Sequence, residues 1–293
     1  MMSRPARFLW PGLGLLLAAL GALGWAGSSV LLRRRTPDPR NPPWDASLDW
    51  DTYHFPARDG VPLSGWFISN PIPNGQTLVI VPGHNGSRDG DTDQAVTLAQ
   101  AGFNVLLFDL RAHGGSGGDQ VTFGAREYLD VLGALDWLAT RWNIHQVGLV
   151  GFSMGAGIAL HVAAEDARVA AVVADGTIAR VVDGLIGLGR SKGIPAPLMF
   201  LPAWAILLTA SLRARTWIPA ADPVRWAGRV RCPVLFVHGP DDPFNTVDGA
   251  RALAARTLRG RLWIVPGAGH RDAYRRDPKA YYARVMDFLK ENL

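Results

Sequence analysis

Short runs with a continuous apolar core recur along most of this chain: QTLVIV at 76–81, NVLLF at 104–108, HQVGLV at 145–150, VAAVV at 169–173, VLFV at 234–237 and LWI at 262–264. Strands half-exposed to water alternate polar and apolar residues, so continuous runs of this length read as strands buried on both faces. Helical stretches stand between or after them, at Thr92–Gly102, Gly124–Thr140, Met154–Ala164, Val247–Ala255 and Ala280–Leu289. In the second of these Tyr128, Val131, Leu132, Leu135 and Leu138 fall near one side. Upstream, Asp51–Pro56 and Val61–Ser69 predict an antiparallel pair turned at Asp59-Gly60. The pattern is that of an α/β chain with a mostly parallel central sheet and helices on both faces. In such sheets reactive groups gather beyond the C-terminal ends of the strands.

The first forty residues are of another kind. From Phe8 to Leu32 the chain carries no charge for 25 residues, enough to cross a hydrocarbon core of about 30 Å as a helix. A cleaved signal peptide has a shorter apolar core, although Ala26-Gly27-Ser28 imitates a cleavage site. The uncleaved anchor is the preferred reading and implies a single-pass, N-terminally anchored membrane protein that touches membrane lipid. Arg4 and Arg7 on one side and Arg33, Arg34 and Arg35 on the other nearly balance, so the side of the membrane stays open. The expected organisation is an anchor with basic flanks over 1–35, a Pro-rich linker over 36–50, and one domain over 51–293. The formal charge of +5 comes largely from the basic flanks. With no zinc-finger spacing or RNA-binding aromatic pattern, a nucleic-acid partner is not expected. Cys232, the single cysteine, allows no intramolecular disulfide or multi-thiolate metal site and reads as an inert thiol.

Gly151-Phe152-Ser153-Met154-Gly155 follows an apolar strand and precedes an Ala/Gly-rich helix. A strand-to-helix turn this tight leaves little room around the serine, so the residues two before and two after it should be glycine. The hydroxyl then projects above the sheet, and the following helix presents its positive end to negative charge developing beside it. Ser153 as nucleophile competes with the plainer reading of a helix cap in a glycine-rich turn. A hydroxyl needs a base and an orienting acid. Both candidates follow the serine: Asp241-Asp242 at the end of one strand, and His270 in the small-residue loop Gly267-Ala268-Gly269 after the last strand. Spacing alone does not decide which aspartate reaches the imidazole. Asp242 is preferred, with Asp241 bracing the turn. His161 reads as an ordinary helix residue.

Four strings, VPGHNGS at 81–87, FDLRAHGGS at 108–116, GFSMG at 151–155 and the pair HGPDD at 238–242 with GAGH at 267–270, together resemble the α/β-hydrolase superfamily, in particular its membrane-anchored, lipase-like bacterial esterases with a hydrolase-4-like core. The likeness runs from about Asp51 to Leu289. It implies a Ser153-His270-Asp242 triad, the acid standing four residues past His238. It also implies an oxyanion hole of two backbone N–H groups, those of His84 and Met154. Two positions depart from the pattern. Pro82 replaces the usual histidine, so the loop must be braced differently, and Ala112 replaces the first glycine of the D-x-R-G-H-G-x-S string. Asp109, Arg111 and His113 are expected to be scaffold.

The interval 177–230 is expected to be a lid insertion at the strand ends. It is apolar through Ile194–Ala210, then basic at Arg213 and Arg215. A lid whose inner face holds an acyl chain, or whose outer face touches lipid, competes with ordinary helix packing. A second membrane crossing is not expected there, because three prolines interrupt the uncharged run. The function expected is cleavage of carboxylic esters with apolar parts through an acyl-enzyme, with no cofactor and no metal. A peptidase or thioesterase on the same fold is the alternative, and a membrane-tethered scaffold the non-enzyme one.

Overall fold

A computed structural model of the protein describes residues 9–35, 48–70, 75–86 and 88–293. Arg4, Arg7, Arg40, Ser87 and most of the expected linker lie outside these residues. Helix α1 (Leu9–Leu31) leads, followed by β1 (Asp49–Pro56), β2 (Pro62–Ser69), β3 (Thr77–Val81), α2 (Thr92–Gln100), β4 (Asn104–Phe108), α3 (Tyr128–Trp142), β5 (Val147–Phe152), α4 (Met154–Glu165) and β6 (Val169–Asp175). Three helices then fill the interval read as a lid: α5 (Val181–Ser191), α6 (Ala196–Arg213) and the short α7 (Pro223–Trp226). The chain closes with β7 (Val234–His238), α8 (Val247–Arg256), β8 (Gly260–Ile264), α9 (Ala273–Arg276) and α10 (Pro278–Asn292).

The eight strands form one sheet in the order β1-β2-β4-β3-β5-β6-β7-β8. β1 and β2 pair antiparallel, β2 meets β4 antiparallel, and all the rest are parallel. Two apolar layers cover its faces, one including Val131, Leu135 and Ile158, the other Leu98, Phe103, Tyr281 and Phe288. The chain winds from β3 outward to β4, then returns past β3 to β5, so the strand order reverses between β3 and β5. At such a reversal the loops leave in opposite directions and a crevice opens.

Most element ends extend the apolar runs by a residue or two, since register with neighbouring strands continues past the last large apolar side chain. The start of α3 shifts furthest from the expectation. α3 begins at Tyr128, not Gly124, because Gly124 turns at φ +97 and the buried Glu127 carboxylate accepts the N–H of Thr122 and of Gly124. The three prolines do not break α6: Pro195 and Pro197 sit at its start, where the N–H groups have no intrahelical partner, and only Pro202 lies inside. By length and composition α6 joins α1 as a helix able to cross a membrane. Its buried residues, Ala203, Leu207 and Ala210, nonetheless pack with Val181 and Val182 of α5 and with Leu31 and Leu32.

Candidate active site

Ser153 alone makes the turn between β5 and α4, at φ 54 and ψ −114. A non-glycine residue there costs of order 1–3 kcal/mol, which the surroundings must offset. Its N–H donates to the Asp175 carbonyl at 2.8 Å. The flanking glycines are required by contact: a Cβ on Gly155 would stand 2.1 Å from the Val81 carbonyl oxygen, and one on Gly151 2.5 Å from that of Gly155.

His270 lies across from this turn. Its Nε2 is 2.8 Å from Ser153 Oγ, and its Nδ1 is 2.7 Å from Asp242 Oδ2. A carboxylate only accepts, so the proton of the neutral ring belongs on Nδ1, leaving Nε2 to accept from the serine hydroxyl. The other Asp242 oxygen accepts the N–H groups of Phe244 at 2.8 Å and Asn245 at 3.3 Å, which pins a buried carboxylate. Asp241 is exposed and holds the turn through its own N–H, which donates to Ala268 O at 3.1 Å. His238 stands 3.9 Å behind Asp242, and burial lowers its pKa, which favours the neutral ring. Phe244 packs edge-on against the His270 ring at 4.7 Å.

The loop after β3 comes close enough that a Cβ on Gly83 would be 3.4 Å from that of Ser153. Among the described residues neither the His84 N–H nor the Met154 N–H has a hydrogen-bond partner. With Pro82 in the usual histidine position, the loop is held by other means. His113 Nε2 lies 2.8 Å from the His84 carbonyl, and Arg35 donates to His84 Nε2 at 2.7 Å. Burial, then the Arg35 charge, push the His84 pKa down to about 3, so this ring is a poor base. Asp109 accepts the N–H groups of Arg88 and Gly115, and Arg111 pairs with both Asp59 and Asp130. These residues fix the loops and do not reach Ser153. Ala112, at the position the family fills with glycine, has φ 56 while fully buried.

A cleft of about 560 Å³ opens above Ser153 and His270, with Phe123, Ile178, Leu185 and Phe244 among its apolar walls. Four of its contributors were not legible in the sequence. Val30, Leu31 and Arg35, at the end of the expected anchor, line it too. So does Arg271, whose guanidinium lies over Phe152 at 4.5 Å and pairs with the buried Asp91. Its place directly after His270 was the only cue, since nothing local relates it to a partner 180 residues earlier. His161 is stacked between Tyr128 and Trp226, and burial pushes it down to about 4. Burial also pushes the half-buried Cys232 thiol up to about 11, which keeps it inert.

A family profile described as the alpha/beta hydrolase fold matches residues 76–187, from β3 into α5. An esterase of Pyrococcus furiosus, Pf2001, has a structure similar to this one with a TM-score of 0.72 at 25% identity, covering 89% of this chain and 99% of that one. The chain has the α/β-hydrolase fold. An uncharacterised protein of Mycobacterium tuberculosis is 26% identical over 239 residues, 80% of this chain and 77% of that protein. The uncharacterised YfhR of Escherichia coli K12 is 27% identical over 259 residues, 84% of this chain and 81% of that protein. Within the α/β-hydrolase fold of this chain, the matched stretch holds His84, Ser153 and Met154, while Asp242 and His270 arrive from the two strands beyond it.

Proposed function

We propose that this protein is a membrane-anchored serine hydrolase that cleaves carboxylic esters through an acyl-enzyme. The observation that carries the reading is the unbroken line of hydrogen bonds Asp242–His270–Ser153 at the floor of an apolar cleft. In this reading His270 Nε2 takes the hydroxyl proton as Ser153 Oγ attacks the ester carbonyl, and Asp242 stabilises the imidazolium that forms. The free N–H groups of His84 and Met154 receive the oxyanion, aided by the N-terminus of α4. The protonated His270 then hands its proton to the leaving alcohol. A water deprotonated by His270 attacks the acyl-serine in the second half, which releases the acid and restores the hydroxyl.

The cleft walls favour aliphatic or aromatic ester parts, and the esterase among the similar structures supports ester cleavage as the reaction. Anchoring rests on α1, of which Gly12–Leu31 has a mean hydropathy of 1.7 and little of its surface covered. The test uses the full chain in detergent micelles and p-nitrophenyl esters from acetate to palmitate. Ser153-dependent turnover is expected, with Ser153→Ala lowering kcat by about 10⁴–10⁶. Equal rates in the two proteins would sink the reading. Labelling of Ser153 by a fluorophosphonate without ester turnover would shift the substrate to thioesters or amides.

A further inference from the structure

We infer that α6 lies in the membrane surface beside α1, and that the cleft takes its ester from the bilayer as the acyl ester of a lipid; this rests on the hydrolase and anchor reading above. The first observation is a length. Between Arg7, the last charge before the apolar stretch, and Gly24 lie 16 residues, which span about 24 Å as a helix. A hydrocarbon core is about 30 Å thick. A crossing therefore has to take in Gly24–Ser28 as well.

That next stretch is where α1 packs on α6. A Cβ on Gly24 would stand 2.6 Å from Thr209 Oγ1 and 2.8 Å from Ala205 O, and one on Gly27 would stand 2.5 Å from Ile206. Small residues that bring two helices this close are the usual means of association in lipid. Whatever depth Gly24–Ser28 reaches, α6 reaches with it. Its outward side is suited to that place: Leu198, Phe200, Leu201, Leu208 and Leu212 are all exposed. Arg213 marks the polar level, stacked over Trp25 at 4.2 Å and donating to the hydroxyls of Ser28 and Ser29. An exposed tryptophan with an arginine is what the membrane–water boundary favours. Because α5 and α7 flank α6 and stay on the domain, α6 lies in one leaflet and does not cross.

The apolar surface continues from there into the site. Val30 of α1 and Leu188 of α5 both line the cleft and remain exposed on its rim. An acyl chain passing from the leaflet to Ser153 would meet apolar side chains along the way, whereas a water-borne ester gains nothing from such a rim.

The test places the full chain in phosphatidylcholine vesicles. A bimane probe is attached in a Cys232→Ala background at Leu16→Cys on α1, Leu208→Cys on α6, or Leu258→Cys, which is exposed on the far side of the domain. Doxyl-labelled lipid is expected to quench the first two, and aqueous iodide the third. Quenching at position 16 but not 208 leaves α1 a mere tether and overturns the inference. Protection of position 208 from both quenchers also overturns it, since a protein partner would then cover α6. In a second measurement, Phe200→Asp with Leu208→Asp should lower at least tenfold the ratio of vesicle-borne diacylglycerol turnover to p-nitrophenyl acetate turnover. An unchanged ratio overturns the lipid route while leaving the hydrolase reading standing. Loss of all Ser153-dependent turnover in the unsubstituted chain would overturn the hydrolase reading itself, and the lipid substrate with it.

Discussion

At Ser153 the backbone adopts a conformation that few residues tolerate, and the side chains around it show what the strain achieves. The hydroxyl stands clear of β5 and α4, in line with His270. The two adjacent aspartates are a sharper case. The string HGPDD is silent on which carboxylate faces inward, because a turn can aim either one. Backbone hydrogen bonds decide: Asp242 accepts from Phe244 and Asn245 and is buried, while Asp241 points to solvent. Asp242→Asn is accordingly expected to lower kcat by about 10⁴, the scale for losing the group that sets the histidine tautomer. Asp241→Asn should remain within about twofold in the same p-nitrophenyl ester assay, as surface changes away from such features usually do little. A second residue-level expectation concerns Gly155. With a carbonyl oxygen 2.1 Å from where a methyl group would sit, Gly155→Ala should prevent the turn from closing. Loss of fluorophosphonate labelling together with a lowered Tm would be the readout.

Helix α5 illustrates how an element depends on a group far along the chain. Its first N–H groups have no partner within the helix, and that of Val181 donates to Asp222 Oδ1 at 2.9 Å, from the start of α7. Burial pushes the Asp222 carboxyl up to about 6. Between pH 4 and 6 the folded chain therefore holds a proton that the unfolded chain has released, so stability falls as pH rises through that window. Asp222→Asn keeps the acceptor oxygen and has no charge to desolvate. It should match the parent near pH 4 and exceed it above pH 6 by about 1–3 kcal/mol. Urea midpoints at pH 4.5 and 7.5 would check this, and a variant less stable at both would refute it. The lid helices were the elements least legible beforehand. Their apolar composition was plain, but which face of α6 would pack could not be read, because periodicity is lost when nearly every position is apolar. Pro202 lies inside α6, and the surrounding turns outweigh its one missing N–H.

Across the whole molecule, the expected border between anchor and catalytic-type domain is not a border in space. Val121 N–H donates to Leu32 O, Arg35 N–H to Ala112 O, and the Arg34 guanidinium to the carbonyls of Gly114, Ser116 and Gly118. With Leu31 and Leu32 buried under α6 as well, removal of residues 1–35 should cost about 3–5 kcal/mol, taking net hydrogen bonds near 1 kcal/mol each. For a domain of this size that corresponds to a fall in Tm of about 6–20 °C, measurable by calorimetry in micelles. A truncated chain with unchanged Tm would show that the tail merely rests on the surface. What the amino-acid sequence determined by itself is local or periodic: the strands, the tight turn at Ser153 with its two glycines, the order of serine, acid and histidine, and an apolar leader. Those follow from propensity, burial period and steric need within a few residues. Only the tertiary structure decided which aspartate faces His270, how a loop without its usual histidine is held by His113 and Arg35, and that the end of α1 forms part of the cleft. Each of these depends on groups far apart in the chain whose meeting is set by the packing of whole elements, and no short-range pattern encodes it.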